Sequence, residues 1–132
     1  MDRLKLEAEE RDAAVHQDDS IEVMLDPTGK RETYYQLMVS AAGVRYDGRG
    51  FDDSVDLAGF RTEVKRADQA WTVELAIPWS ELGLTGPPQA AGVLLARNRQ
   101  TTGKHEIVQF PLSPDGNHQP GHFARLKLQR AD

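Results

Sequence analysis

Hydrophobic and polar residues alternate with a period of two along most of the chain, as expected for β-strands with one buried face. The clearest segments are residues 20–26 (SIEVMLD), 34–40 (YYQLMVS) and 70–77 (AWTVELAI). Weaker strand patterns cover residues 3–9, 60–66, 93–98, 105–110 and 122–128. About eight short strands separated by turn-rich segments predict an all-β, antiparallel β-sandwich of the jelly-roll type.

Helical patterns are nearly absent. The exception is residues 78–84 (PWSELGL), where Pro78 suits the first turn of a short helix and Gly83 suits its exit. Long loops are predicted at residues 41–59, 85–91 and 113–121, which are rich in turn-forming residues. Loops at the ends of a sandwich commonly carry binding residues, so these segments are the first place to look for function.

Composition narrows the range of functions. The 132 residues suit a single domain, 1–132, and the net charge of −5 argues against nucleic acid or an anionic membrane as partner. No window is long and apolar enough to span a bilayer, and the charged first residues contain no secretory signal. The absence of cysteine excludes disulfides and thiolate metal sites. No nucleophile elbow, zinc-protease motif or phosphate loop is present, and we predict that the chain is not an enzyme.

Three segments carry a family resemblance. They are HQDDSIEVMLDP (residues 16–27, followed by YYQLMVSAAG), WTVELAIPWSELGL (residues 71–84) and PGHFARLKL (residues 120–128). In this order, over about residues 4–128, they resemble the family 9 carbohydrate-binding modules, β-sandwiches related to the DOMON domains. The family usually closes with a Phe-Gly-x-Leu-x-Leu pattern, and Ala124 stands here in place of that Gly. The N-terminal portion is also shorter than the family norm, which would leave a sheet edge for a partner to cover.

The resemblance implies a non-catalytic module that binds a sugar terminus or a short glycan for a larger polysaccharide-active protein. Such a parent would be extracellular or periplasmic. Sugar-binding members place an aromatic residue just before the Asp-Asp-Ser stretch, where this chain has His16. They place a second Trp in a late loop, where Asn117, His118 and Phe110 are the nearest replacements.

Strand residues supply further candidate ligands. Glu22 lies opposite Ile21 and Val23 on its strand, at the position where sugar-binding relatives hydrogen-bond a hydroxyl group. A polyol needs acceptors and donors in fixed directions, and we predict that Gln36 and Arg97 or Arg99 supply the donors. The alternative is that these are solvent-facing residues of an exposed sheet face.

Metal binding is predicted from the acid-rich loops. Asp18 and Asp19 are candidate ligands of a structural calcium ion, which the resemblance favours because family members often hold one. The alternative is that these acids only form turns. His16 is distant in sequence from His118 and His122, and these histidines are more typical of independent surface groups than of a zinc site.

Two other functions remain open. A DOMON-type domain could bind haem through axial methionine, for which Met24 and Met38 are candidates on the polar faces of their strands. A sandwich that has lost sugar binding could instead serve assembly, as a homodimer through an exposed sheet edge.

Overall fold

The structure is a computed structural model that describes residues 4–101 and 103–129. Within these residues it contains eight β-strands and three short 3-10 helices, so the all-β prediction is confirmed. The strands are β1 (Ser20–Asp26), β2 (Tyr35–Ser40), β3 (Arg45–Arg49), β4 (Arg61–Arg66), β5 (Trp71–Ala76), β6 (Ala91–Arg99), β7 (Glu106–Phe110) and β8 (Ala124–Leu126). The 3-10 helices are Val15–Gln17, Trp79–Leu82 and Pro120–His122, and the second is the predicted helical turn, with Gly83 left-handed at its exit.

The strands form a large sheet and a small one, and every pair is antiparallel. The large sheet has the order β3-β2-β1-β6-β7, and β8 pairs with the first part of β6. The small sheet consists of β4 and β5. In the centre of the large sheet Glu22 lies between Met38 on β2 and Ala96 on β6, so their side chains share one face.

The core between the sheets is built from the alternating apolar residues. Leu37, Val39, Leu57 and Phe60 form its buried cluster. Packed against them are Ile21, Val23 and Tyr35 from the large sheet and Val64, Val73, Leu75 and Ile77 from the small sheet and its exit. Removing this apolar area from water is the main force that holds the two sheets together.

The opposite face of the large sheet is also covered, which sequence alternation did not predict. Met24, Tyr34, Leu94, Ala96 and Phe123 form a second buried cluster there. Met24 and Met38 therefore lie on a buried face, with side chains almost wholly removed from solvent, although Glu22 and Gln36 share that face with them. Met24 is a core residue, whereas Met38 lies beside the cavity described below.

Three strand predictions are corrected. Residues 4–9 form no strand, because N–H groups of this segment donate to the carboxylates of Asp18 and Asp19; Arg3 lies outside the described residues. β3 lies inside the predicted 41–59 loop. The last strand is only Ala124–Leu126, because Pro120–His122 forms a helical turn before it.

The small sheet leaves part of the large sheet uncovered. Leu95, Val108 and Phe110 lie on the same face as Val23 but are exposed. Separately, none of the helices in the described residues has the length and hydrophobicity needed to cross a membrane.

Candidate functional site

A cavity of about 580 Å³ lies on the face of the large sheet that points away from the small sheet. Its floor comes from the central strands, and its walls come from the segment before β1, the loop after β3 and the loop after β7. The residues that line it are Asp12, Ala13, Ala14, His16, Glu22, Gln36, Met38, Tyr46, Phe51, Asp53, Asn98, His105, Ile107, Gln109, Gly116, Asn117 and His118. This size falls within the range of small-molecule sites in proteins.

The floor of the cavity is polar, although its residues are almost fully buried. Gln36 Nε2 donates to Glu22 Oε1 over 2.8 Å, and Glu22 is only 4% exposed. Asn98 Nδ2 donates to Ser20 Oγ over 3.2 Å, and Asn98 Oδ1 lies 2.9 Å from Nε2 of His105. A carboxylate has about four acceptor sites, so Glu22 keeps capacity for a ligand beyond its bond to Gln36.

The wall formed by residues 12–16 is held in place by carboxylates behind it. Asp18 accepts hydrogen bonds from the N–H groups of Glu7 (2.9 Å) and Ala8 (2.8 Å), and Asp19 accepts one from Lys5 (2.9 Å). These contacts fold the N-terminal segment against the large sheet. Among the described residues, no group of three or more His, Cys, Asp or Glu side chains is placed to hold a metal ion. Calcium binding by Asp18 and Asp19 stays a prediction.

Asp47 fixes the same wall from the edge of the sheet. Its buried carboxylate accepts from Arg11 Nε (3.0 Å) and Nη2 (2.6 Å) and from the N–H of Leu57 (2.5 Å). The N–H of Asp47 in turn donates to Asp12 Oδ1 over 3.1 Å. One carboxylate therefore ties together the N-terminal segment, β3 and the loop that carries Phe51 and Asp53.

An aromatic pair forms one side of the cavity mouth. The Phe51 ring stacks on the His118 imidazole, with centroids 4.2 Å apart and planes 17° from parallel, while Phe51 itself is 81% exposed. His118 Nδ1 lies 2.7 Å from the Tyr34 hydroxyl group. Burial lowers the pKa of His118, although the charge of Glu22 partly opposes this, so the imidazole is neutral at neutral pH.

A second side chain–side chain contact orients Asn117. Gln109 Nε2 on β7 donates to Asn117 Oδ1 over 2.5 Å, and Gln109 Oε1 accepts from the N–H of Ser113 over 3.1 Å. With its oxygen occupied in this way, Asn117 can offer its amide N–H groups to a ligand.

Carboxylates are the charged groups that most affect the described cavity wall around Tyr46. The pKa of Tyr46, which lies on the cavity wall, is raised by burial and then by the negative charges of Asp53, Asp12, Asp47 and Glu22. Neighbouring carboxylates raise the pKa of a tyrosine because they disfavour its negatively charged form. The same carboxylates favour a positive charge near Tyr46.

Five of the eight sequence-predicted ligand residues meet in this cavity: His16, Glu22, Gln36, Asn117 and His118. Phe110 does not, because it lies on the opposite face of the sheet, with Val23. Arg97 and Arg99 do not, and this expectation is corrected. They alternate with Asn98 along β6, so they point away from the face that carries Glu22. His122 also lies apart from His16 and His118, with its Nδ1 3.0 Å from Ser113 Oγ.

Sequence reasoning missed several residues of the cavity, among them Tyr46, Phe51, Asn98 and Gln109. A signal was available for two of them. Phe51 is an aromatic residue in a loop otherwise rich in Gly and Asp, and Asn98 is the polar end of an otherwise apolar strand face. Tyr46 and Gln109 gave no comparable signal.

Comparison with known proteins places the chain among carbohydrate-binding domains. The family model described as "Carbohydrate family 9 binding domain-like" matches residues 2–131. Two solved structures of a family 9 carbohydrate-binding module from Caldicellulosiruptor kristjanssonii share the fold at 20% identity. The complex with glucose has a TM-score of 0.72 over 98% of this chain and 68% of that chain. The complex with cellotriose has a TM-score of 0.71 over 94% and 65%.

Two enzymes are similar over 103 residues, or 77% of this chain. The endo-1,4-beta-xylanase A of Thermoanaerobacterium saccharolyticum is 27% identical, and the exoglucanase XynX of Acetivibrio thermocellus is 26% identical. The chain spans 9% and 10% of the length of these two enzymes, respectively.

Proposed function

Because this chain belongs to the family described as carbohydrate family 9 binding domain-like, we propose that its cavity binds the end or a short stretch of a glycan. The observation that carries the proposal is the buried Glu22–Gln36 pair on the cavity floor. Sugar hydroxyl groups both donate and accept hydrogen bonds, and a hydrogen-bonded carboxylate–amide pair supplies both functions in fixed directions. Asn98 and Asn117 add further amide groups on two sides.

Phe51 has the properties of the aromatic platform that a sugar needs. Its exposed ring is backed by His118 and therefore held in a defined orientation. The CH groups of a pyranose ring pack favourably on such an apolar ring face. We expect Phe51 to fill the role that a late-loop tryptophan has in sugar-binding family members.

The domain acts as a binding module without chemistry of its own in this proposal. The two similar enzymes are many times longer than this chain, which leaves room for their activity in other parts. A module of this kind raises the local concentration of glycan around whatever it is joined to. We place it in an exported polysaccharide-active protein, outside the cytoplasm. Structural calcium and pairing into a homodimer remain predictions.

The test is isothermal titration with mono- and oligosaccharides of glucose and xylose, in the presence of calcium. We expect saturable binding that is lost in Glu22→Ala and kept in the control Glu74→Ala, which changes an exposed carboxylate of β5. Thermal unfolding of each variant checks that it is folded. No heat with any sugar, while the protein is folded, would refute the proposal and favour the assembly role.

A further inference from the structure

The charges that line the cavity are all of one sign. Its acidic residues are Asp12, Glu22 and Asp53, and none of the described residues that line it is lysine or arginine. Tyr46 also lines the cavity, and after burial, the larger cause, the same carboxylates and Asp47 raise its pKa. The neutral His118 does not offset these negative charges.

Glu22 is the carboxylate that matters most for a ligand. It is 4% exposed, and its only hydrogen bond from the described cavity side chains comes from the neutral amide of Gln36. A buried carboxylate without a cationic partner is poorly compensated for its loss of water. A ligand that brings a positive charge into the cavity gains an interaction that a neutral sugar does not.

We propose that the cavity is selective for a glycan that carries a protonated amine, an amino sugar, over neutral and acidic glycans. This inference rests on the proposed function, because it concerns the ligand class of the same site. The sugar ring would lie against Phe51, and its ammonium group would approach Glu22, with Asp53 at the mouth adding to the attraction. Uronic acids and sulfated sugars would be repelled by the same three carboxylates.

Three trisaccharides with the same β-1,4 linkage test the inference, because they differ only at C2: the glucosamine trimer, its N-acetylated form and cellotriose. They are titrated calorimetrically into the full chain, at a pH at which the amine is protonated. We expect the glucosamine trimer to bind at least about fivefold more tightly than either neutral trimer. The advantage should shrink at high salt, because screening weakens interactions between charges.

Substitutions of single carboxylates test which of them causes the preference for the amine. Glu22→Gln preserves shape and removes charge, so the preference for the amine should fall towards one while cellotriose affinity changes less. Asp53→Asn, in the exposed loop, should lower the preference about twofold and provides a second test if Glu22→Gln does not fold. Glu74→Gln, on the outer side of β5, should leave the preference unchanged.

Each outcome decides a separate point. If cellotriose binds as tightly as the glucosamine trimer at low salt, the amine inference is overturned and the glycan-binding proposal stands. If no trimer binds, the amine inference fails, and the glycan-binding proposal is then decided by the glucose and xylose sugars of the first titration. If the linear diamine putrescine binds as tightly as the amino sugar, the cavity recognises charge alone and the selectivity for a sugar is refuted.

Discussion

Replacing Asp47 by alanine removes the buried carboxylate that joins three parts of the molecule. It accepts two hydrogen bonds from Arg11 and one from the N–H of Leu57, and the Arg11 side chain also lies 2.8 Å from Asp56. In Asp47→Ala the Leu57 N–H and Arg11 Nε lose their acceptor, while Arg11 Nη2 keeps the Leu57 carbonyl oxygen and Asp56 as partners. The N-terminal segment and the loop that carries Phe51 then lose the buried part of their common anchor.

The size of the loss follows from burial. Breaking a fully buried ion pair costs about 3–5 kcal/mol, and leaving a buried N–H unsatisfied costs about 1–3 kcal/mol. Asp47 is 0% exposed but Arg11 is 30% exposed, so water screens part of the pair and the costs are not additive. We expect a loss of about 2–4 kcal/mol in the free energy of unfolding. At roughly 2.1 cal/mol/K per residue, this lowers Tm by about 7–14 °C for this chain.

The assay is urea unfolding followed by tryptophan fluorescence, with Asp56→Ala as the matched control. Asp56 contacts the same arginine but is 68% exposed, so its loss should cost less than about 1 kcal/mol. Glycan affinity should fall in Asp47→Ala even where the protein is fully folded, because the cavity wall is no longer fixed. Equal stabilities for the two variants would show that burial does not control the contribution of this ion pair.

Three further outcomes are expected. Phe51→Ala should weaken glycan binding about fivefold, measured by calorimetry. Because the ring is exposed, the free energy of unfolding should change by less than about 0.5 kcal/mol. Unchanged affinity would show that Phe51 is not part of the site. Gly59→Ala should lower the free energy of unfolding by about 1–3 kcal/mol in urea, because the new Cβ would lie 2.8 Å from Cγ of Pro78. A variant as stable as wild type would show that the Pro78 ring can move away. Burial lowers the pKa of His118 below 6.5, so the unfolded chain binds more protons and stability falls as pH drops below that value. In His118→Gln the free energy of unfolding should depend less on pH below 6.5. A pH profile identical to that of wild type would show that His118 does not cause the loss of stability.

Local patterns were sufficient for most of the strands. Alternation in residues 20–26 and 34–40 identified β1 and β2 almost to the residue, because a strand with an apolar face repeats every two positions. The short strand β3 was not predicted, because Asp47 and Gly48 interrupt any alternation of apolar residues there. Residues 4–9 were assigned wrongly because the partners of their N–H groups are distant carboxylates, which no local pattern reports.

The sequence by itself determined most of the strands and the sandwich class, since both depend on alternation and turn-rich separators, and the family resemblance implied Glu22 as a candidate ligand. Only the tertiary structure decided where the site lies. On β1 the face that carries Glu22 is the more deeply buried one, although sequence alternation marks the face of Ile21 and Val23 as the apolar one, and on β6 Arg97 and Arg99 lie on the exposed face. The period of two therefore could not tell which face forms the cavity, and Arg97 and Arg99 were assigned to the wrong face. The cavity itself joins residues as far apart in sequence as Asp12 and His118, and only the folding of the chain brings them together around one cavity.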